Sequence, residues 1–201
     1  MKKILAVLTL ASGLLLTGCA QTNEAASVGD FKITQTELQS SIDAVMAERG
    51  KVDITQMKLE TGDALNRGQL RFKILMHTFD EIAKELKIDV TASQIATKKS
   101  SIVQSVGGES ELPKNLVNAA IAEQDFDAYV RALVISEQIT SALTASGVAD
   151  ADVSTKLGQL LSAKAKSLGV KVNPRYGVWD STSGDVVAAN VTGDAVKSAT
   201  K

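Results

Sequence analysis

Proline is almost missing from this chain, and apolar residues recur at helical spacing where it is missing. Prolines stand only at positions 113 and 174. A backbone without proline keeps its i→i−4 hydrogen bonds, so long helices can run. Leu65, Phe72, Leu75, Phe79, Ile82 and Leu86 follow three- and four-residue steps. That stripe would cover about six turns of one helix. Gly68 occupies the open place in it, where a small residue suits close helix packing. Only 3% of residues are aromatic, so Leu, Ile, Val and Ala must build the core. This composition predicts a mostly α fold.

The remaining punctuation divides the chain into about six helices. Thr34 and Glu37 form a capping box ahead of Leu38, Ile42 and Val45, and Gly50 ends that helix. Lys51 to Gly62 reads as a loop with a helical turn. After Leu86, Lys87 closes the second helix. Thr91 and Gln94 open a third, with Ile95, Ile102, Val103 and Val106 as its apolar face and Gly107-Gly108 as its stop. Pro113 suits the first turn of a short helix carrying Leu112, Leu116, Val117 and Ala120. Asp125 is expected to cap the fifth, in which Phe126, Tyr129, Val130, Leu133, Val134, Ile135, Ile139 and Leu143 cover more than one face. A helix apolar on several faces is usually central. Val153, Leu157, Leu160, Leu161 and Leu168 mark the sixth, ended by Gly169. Val28 to Ile33 reads as one short strand with Gly29-Asp30 as a turn or bulge, and Val170-Lys-Val172 as another. Residues 181–201 read as a mobile tail whose Val-Val-Ala-Ala piece can pair as an edge strand.

The N-terminus points away from the cytoplasm. Met1-Lys2-Lys3 is positive, Ile4 to Leu16 is apolar and uncharged, and Leu16-Thr17-Gly18-Cys19 follows. This is the pattern of an export signal. Its apolar run is shorter than the about 20 residues of a spanning helix. Leu-Thr-Gly-Cys resembles the lipobox of bacterial lipoproteins. That resemblance implies cleavage of residues 1–18, a diacylglyceryl group on Cys19 and attachment to a membrane on its extracytoplasmic side. Two acyl chains make a stable anchor, at about 0.8 kcal/mol per buried CH₂. Residues 19–27 then read as a polar tether. Cys19 is the only cysteine, so no internal disulfide supports the fold. Loss of Lys2 and Lys3 takes the 22 basic residues to 20, against 23 acidic ones. With no basic cluster, nothing here suggests nucleic-acid binding.

Three segments carry a second resemblance. Val28-Gly-Asp-Phe-Lys-Ile-Thr34 ahead of a helix resembles the opening of the chaperone domain of the SurA and PrsA foldases. Phe126 to Ile139 resembles that family's long central helix. Val172-Asn-Pro-Arg-Tyr-Gly-Val-Trp-Asp180 resembles its closing strand and turn. The resemblance covers residues 28–180. It implies a helical chaperone domain, with a short two-stranded β element joining its N- and C-terminal ends. It also implies extended or unfolded polypeptides as clients. The family carries a parvulin isomerase domain between the central and last helices. Here that junction is only Thr144 to Asp150, which argues against isomerase activity.

Residues of catalytic type are sparse. His77 is the only histidine, and it falls inside the second helix off the apolar stripe, where a partly exposed surface residue is expected. A Ser-His-Asp triad would have to use it. One His and one Cys supply no common zinc set. Asp80-Glu81 and Asp125/Asp127 read as solvated faces and caps, and Gly107-Gly108 lacks the Lys-Ser/Thr of a phosphate loop. No catalytic residue, metal site or cofactor is expected. Tyr176 and Trp179 are expected to pack the closing turn, with Arg175 beside them as the other reading, a binding anchor. Met46, Met57 and Met76 are core filling or the lining of an adaptable groove. Two functions fit: a lipoprotein that binds unfolded polypeptide, or a non-catalytic adaptor for one folded partner. Peptide-binding positions cannot be assigned from the sequence.

Overall fold

The computed structural model describes residues 23–189. The expectations for residues 1–18, Cys19 and 190–201 lie outside the described residues.

β1 (Glu24–Val28) and β2 (Phe31–Thr34) form an antiparallel hairpin. Gly29-Asp30 is its turn, so the single expected strand is two. Gly29 has φ of 60°, and its N–H donates to the Leu168 carbonyl at 2.8 Å. The turn is thereby tied to the end of the last helix. β3 (Lys171–Val172) pairs with the other edge of β1, giving the order β2-β1-β3. The tether expected over residues 19–27 is corrected in its last part: Glu24–Ser27 belongs to β1, and Ala25 and Ala26 are buried. Pairing on both edges satisfies this segment's backbone, and small side chains then fit under the helices.

α1 (Gln35–Arg49) starts at the expected capping box. The Glu37 N–H donates to Thr34 Oγ1 at 3.1 Å, and the Thr34 N–H to Glu37 Oε2 at 2.7 Å. Residues 51–61 run irregularly, with an Asx turn in which Asp53 accepts from the Thr55 N–H at 3.0 Å. α2 (Gly62–Leu86) is the axis of the molecule. Its buried line is Leu70, Ile74, Thr78 and Ile82, flanked by Leu65, Gln69 and Ala83. The predicted stripe is thus part of the buried arc: Leu65 and Ile82 are buried, Phe72, Leu75 and Phe79 are half-buried, and Leu86 is 49% exposed. β1, β5, α1, α5 and α6 all pack against α2, which widens the buried arc beyond the stripe. Gly68 makes room for the preceding loop, not for a helix. A Cβ there would come within 3.2 Å of Glu60 Oε2.

α3 (Ala92–Ser105) opens with the second capping box and buries no residue completely. α4 (Leu112–Asn118) carries Pro113 in its first turn. It ends at Asn118, and Ala120 just beyond it has φ of 53°, with the Gln69 amide donating to its carbonyl at 2.7 Å. A 3-10 turn, Glu123–Asp125, leads into α5 (Phe126–Ala145). Asp125 does not cap α5 with its side chain. It has helical dihedrals, whereas a capping side chain needs an extended backbone. α5 packs on α2, α3 and α6 (Asp150–Leu168), the central place its all-round apolar character predicts. Gly169 ends α6 in the left-handed conformation.

The chain then returns to the first strand. The Asn173 N–H donates to the Ala25 carbonyl at 2.9 Å, which joins the two ends of the domain. β4 (Val178–Asp180) and β5 (Asp185–Val187) make a second hairpin. The expected mobile tail is therefore ordered through Val187, and its Val-Val pair forms β5. Val186 joins the core cluster of Ala25, Val28, Ile33, Leu38, Leu70 and Ile74, and Tyr176 and Trp179 pack against it. The fold is mostly α, with six α-helices among the described residues and its strands gathered where the ends meet.

Candidate functional site

Two concavities stand out among the described residues, and they differ in chemistry. The larger is an open groove of about 680 Å³ between α3 and α5. Ser93, Gln94, Thr97, Lys98 and Ser101 line one side, and Glu137, Gln138 and Ser141 the other; Val134 is the single apolar lining residue. Ion pairs tie the two helices together, Lys98 with Glu137 and Lys99 with Asp127 at 2.6 Å. This groove offers hydroxyls and amides, with Val134 and the aliphatic stems of its polar side chains between them.

The second is a cleft of about 230 Å³ where β2, α1, α2, the 3-10 turn and the start of α5 meet. Phe72, Met76 and Asp80 lie at i, i+4 and i+8, so α2 presents them as one row. Phe31 and Ile33 alternate on β2 and form the facing wall. Phe31 is 41% exposed, and its ring stacks on that of His77 with centroids 4.1 Å apart and planes 15° apart. Glu37, Lys73 and Asp125 complete the rim, with Ala128 beside Asp125. β2 is an edge strand, so its outer side is paired with no other described strand.

The charges around this cleft are unevenly matched. Arg131 Nε donates to Asp80 Oδ1 at 2.8 Å. The Thr34 N–H and hydroxyl hold the Glu37 carboxyl below its usual range, and the Lys73 cation adds to this. Asp125 accepts from the Ser41 hydroxyl at 3.3 Å and has no ion-pair partner among the described residues. Burial pushes the His77 pKa down from 6.5, opposed by the Glu81 carboxylate 4.0 Å away. His77 is therefore mostly neutral near pH 7.

The residues singled out from sequence are dispersed. His77 makes no hydrogen bond to a hydroxyl among the described residues, so it is not brought into a triad. Among those residues no group of three His, Cys, Asp or Glu is arranged for a metal. The three methionines do not share a groove. Met46 is 50% exposed, Met57 lies by the loop facing α4, and Met76 alone reaches the Phe31 cleft. Arg175 lies over the Tyr176 ring at 5.9 Å, while Tyr176 and Trp179 face the core. Phe31 and Phe72 escaped notice as a pair. Only the docking of the hairpin on α2 makes them neighbours.

No family model, curated protein or solved structure matches this chain.

Proposed function

We propose that this protein is a lipid-anchored, non-enzymatic polypeptide-binding protein on the extracytoplasmic side of a membrane, seating extended segments at the Phe31 cleft. The observation that carries this reading is an exposed aromatic ring above an aromatic- and Met-walled cleft, beside a strand whose outer edge pairs with no other described strand. An open edge lets an extended chain add main-chain hydrogen bonds while alternate side chains enter pockets. Contacts of this kind are shallow and tolerate many sequences. They suit holding export clients near the membrane. The lipobox-like Leu16-Thr-Gly-Cys19 supports the anchor. The strand pairing that joins the two ends accords with the foldase resemblance.

The polar lining of the α3–α5 groove favours a second reading, an adaptor that docks one folded partner. The two separate in one assay. A fragment from Gln21 to Lys201 keeps every described element. Diluting a denatured, aggregation-prone protein with it should suppress light scattering near stoichiometric amounts, and Phe31→Ala should weaken that suppression. Absence of suppression by the folded fragment would sink the polypeptide reading and leave the adaptor. For the anchor, Cys19→Ser should abolish incorporation of radiolabelled palmitate and release the protein from membranes. Unchanged labelling would refute lipidation at Cys19.

A further inference from the structure

We infer that the Phe31 cleft takes a lysine or arginine side chain of an extended polypeptide, its alkyl stem along Phe31, Phe72 and Met76 and its cationic head at Asp125. This deepens the polypeptide-binding reading and rests on it. The cleft encloses about 230 Å³. That is below the roughly 300 Å³ where small-molecule sites begin, and it suits one side chain.

Charge complementarity chooses the occupant. The lining carries Glu37, Asp80 and Asp125 against the single cation Lys73. Asp80 is matched by Arg131, and Glu37 is held by Thr34 at the start of α1. Asp125 remains, half-buried, with one hydroxyl as its partner. A carboxylate beside apolar walls gains most from a donor that also carries a positive charge, since an uncharged donor leaves the buried charge unneutralised. His77 is neutral at this pH and adds no competing positive charge. The ring faces of Phe31 and Phe72 also favour a cation within about 6 Å. Long basic side chains meet both demands, because an apolar stem carries their charged tip. β2 provides the approach. A segment added along its outer edge would turn every second side chain toward the cleft.

The test uses full-length protein in a non-ionic detergent and fluorescein-labelled extended octapeptides. The peptides are identical except for a central Lys, Arg, norleucine or Glu. Fluorescence anisotropy, with detergent alone as baseline, gives each Kd. Lys and Arg peptides should bind about tenfold or more tighter than norleucine, the discrimination one charge-assisted bond supplies. The Glu peptide should bind weakest. Asp125→Asn keeps an oxygen for Ser41 and should erase the Lys preference, bringing the Lys and norleucine Kd values together. Phe31→Ala should weaken Lys and norleucine alike. Both variants are checked for wild-type circular dichroism. Raised salt should weaken the Lys peptide and spare norleucine. Equal binding of Lys and norleucine overturns the cationic guest and leaves the polypeptide reading standing. A Lys preference that survives Asp125→Asn places the cation elsewhere and also overturns it. No binding of any peptide, together with suppressed aggregation, removes the cleft as the site. No binding and no suppression defeats both readings.

Discussion

Replacing Gly177 with alanine should detach the β4–β5 hairpin from an otherwise folded protein. Gly177 has φ of 130°, a conformation that L side chains rarely adopt. Its backbone also passes close to β5. An added Cβ would lie 2.2 Å from the Val187 carbonyl oxygen and 3.4 Å from Val186 Cγ1. Restoring an ordinary contact would move β5 by about 1 Å, enough to disturb the Val178–Val187 pairing. The backbone strain costs about 1–3 kcal/mol. If the hairpin leaves, Val186, only 3% exposed, loses its burial. That costs about 1.5–3 kcal/mol. Strain acts on the docked hairpin and lost burial on the detached one, so they do not add; the hairpin should lose about 1.5–3 kcal/mol, which in urea at about 1–3 kcal/mol per M is a shift of about 1 M. Trp179 is the only tryptophan and sits in β4, so its emission reports this hairpin, while circular dichroism at 222 nm reports the helices. In wild type the two transitions should coincide. In Gly177→Ala the tryptophan emission should shift red at lower urea than the helices melt. Gly184→Ala is the control: φ is 65° with no atom within 4 Å, so it should cost only about 1–2 kcal/mol. Coincident transitions at the wild-type midpoint in Gly177→Ala would refute the argument.

The other consequences are more local. Thr34→Ala removes one half of a capping box and should cost about 1 kcal/mol, with the Glu37 pKa rising toward its ordinary value in an NMR titration. The His77 pKa is lowered on folding, so the unfolded chain binds more protons; stability is full above the unfolded value of 6.5 and falls as pH drops below it. The Tm of wild type should accordingly drop relative to His77→Phe between pH 7.5 and about 5.5, and parallel curves would contradict this. Arg49 is 5% exposed, and its Nε and Nη2 have no hydrogen-bond partner among the described residues. Arg49→Met should raise the Tm, by about 1–3 kcal/mol of added stability, and a lowered Tm would show that the guanidinium is satisfied. α3 buries no residue fully and is tied to α5 through Lys98 and Lys99, so 0.5 M salt should speed amide hydrogen exchange in α3 and leave α2 protected.

The sequence alone determined the features whose causes lie within a few residues. The capping boxes at Thr34/Glu37 and Thr91/Gln94, the proline in the first turn of α4 and the left-handed stop at Gly169 are closed by neighbouring atoms, so their pattern is their mechanism. The central place of α5 was legible too, because a helix apolar on several faces needs neighbours on several sides. Tertiary structure decided the rest. Glu24-Ala-Ala-Ser27 looks like a tether until β2 and β3 pair on either side of it; Asn173 Nδ2 reaches the Glu24 carbonyl across 149 residues of chain. The burial of α2 spread beyond the stripe, whose Leu65 and Ile82 are buried, to Leu70, Ile74 and Thr78, because two strands and three helices pack against it. Asp125 lost its expected cap to the 3-10 turn and instead faces Ser41. The Phe31 cleft belongs to this second class. Its walls come from five elements, and no local interaction energy brings Phe31, Phe72 and Asp125 together. Only burial of the hairpin against α2 does so, and that free energy depends on area summed over the whole chain, which no short pattern encodes.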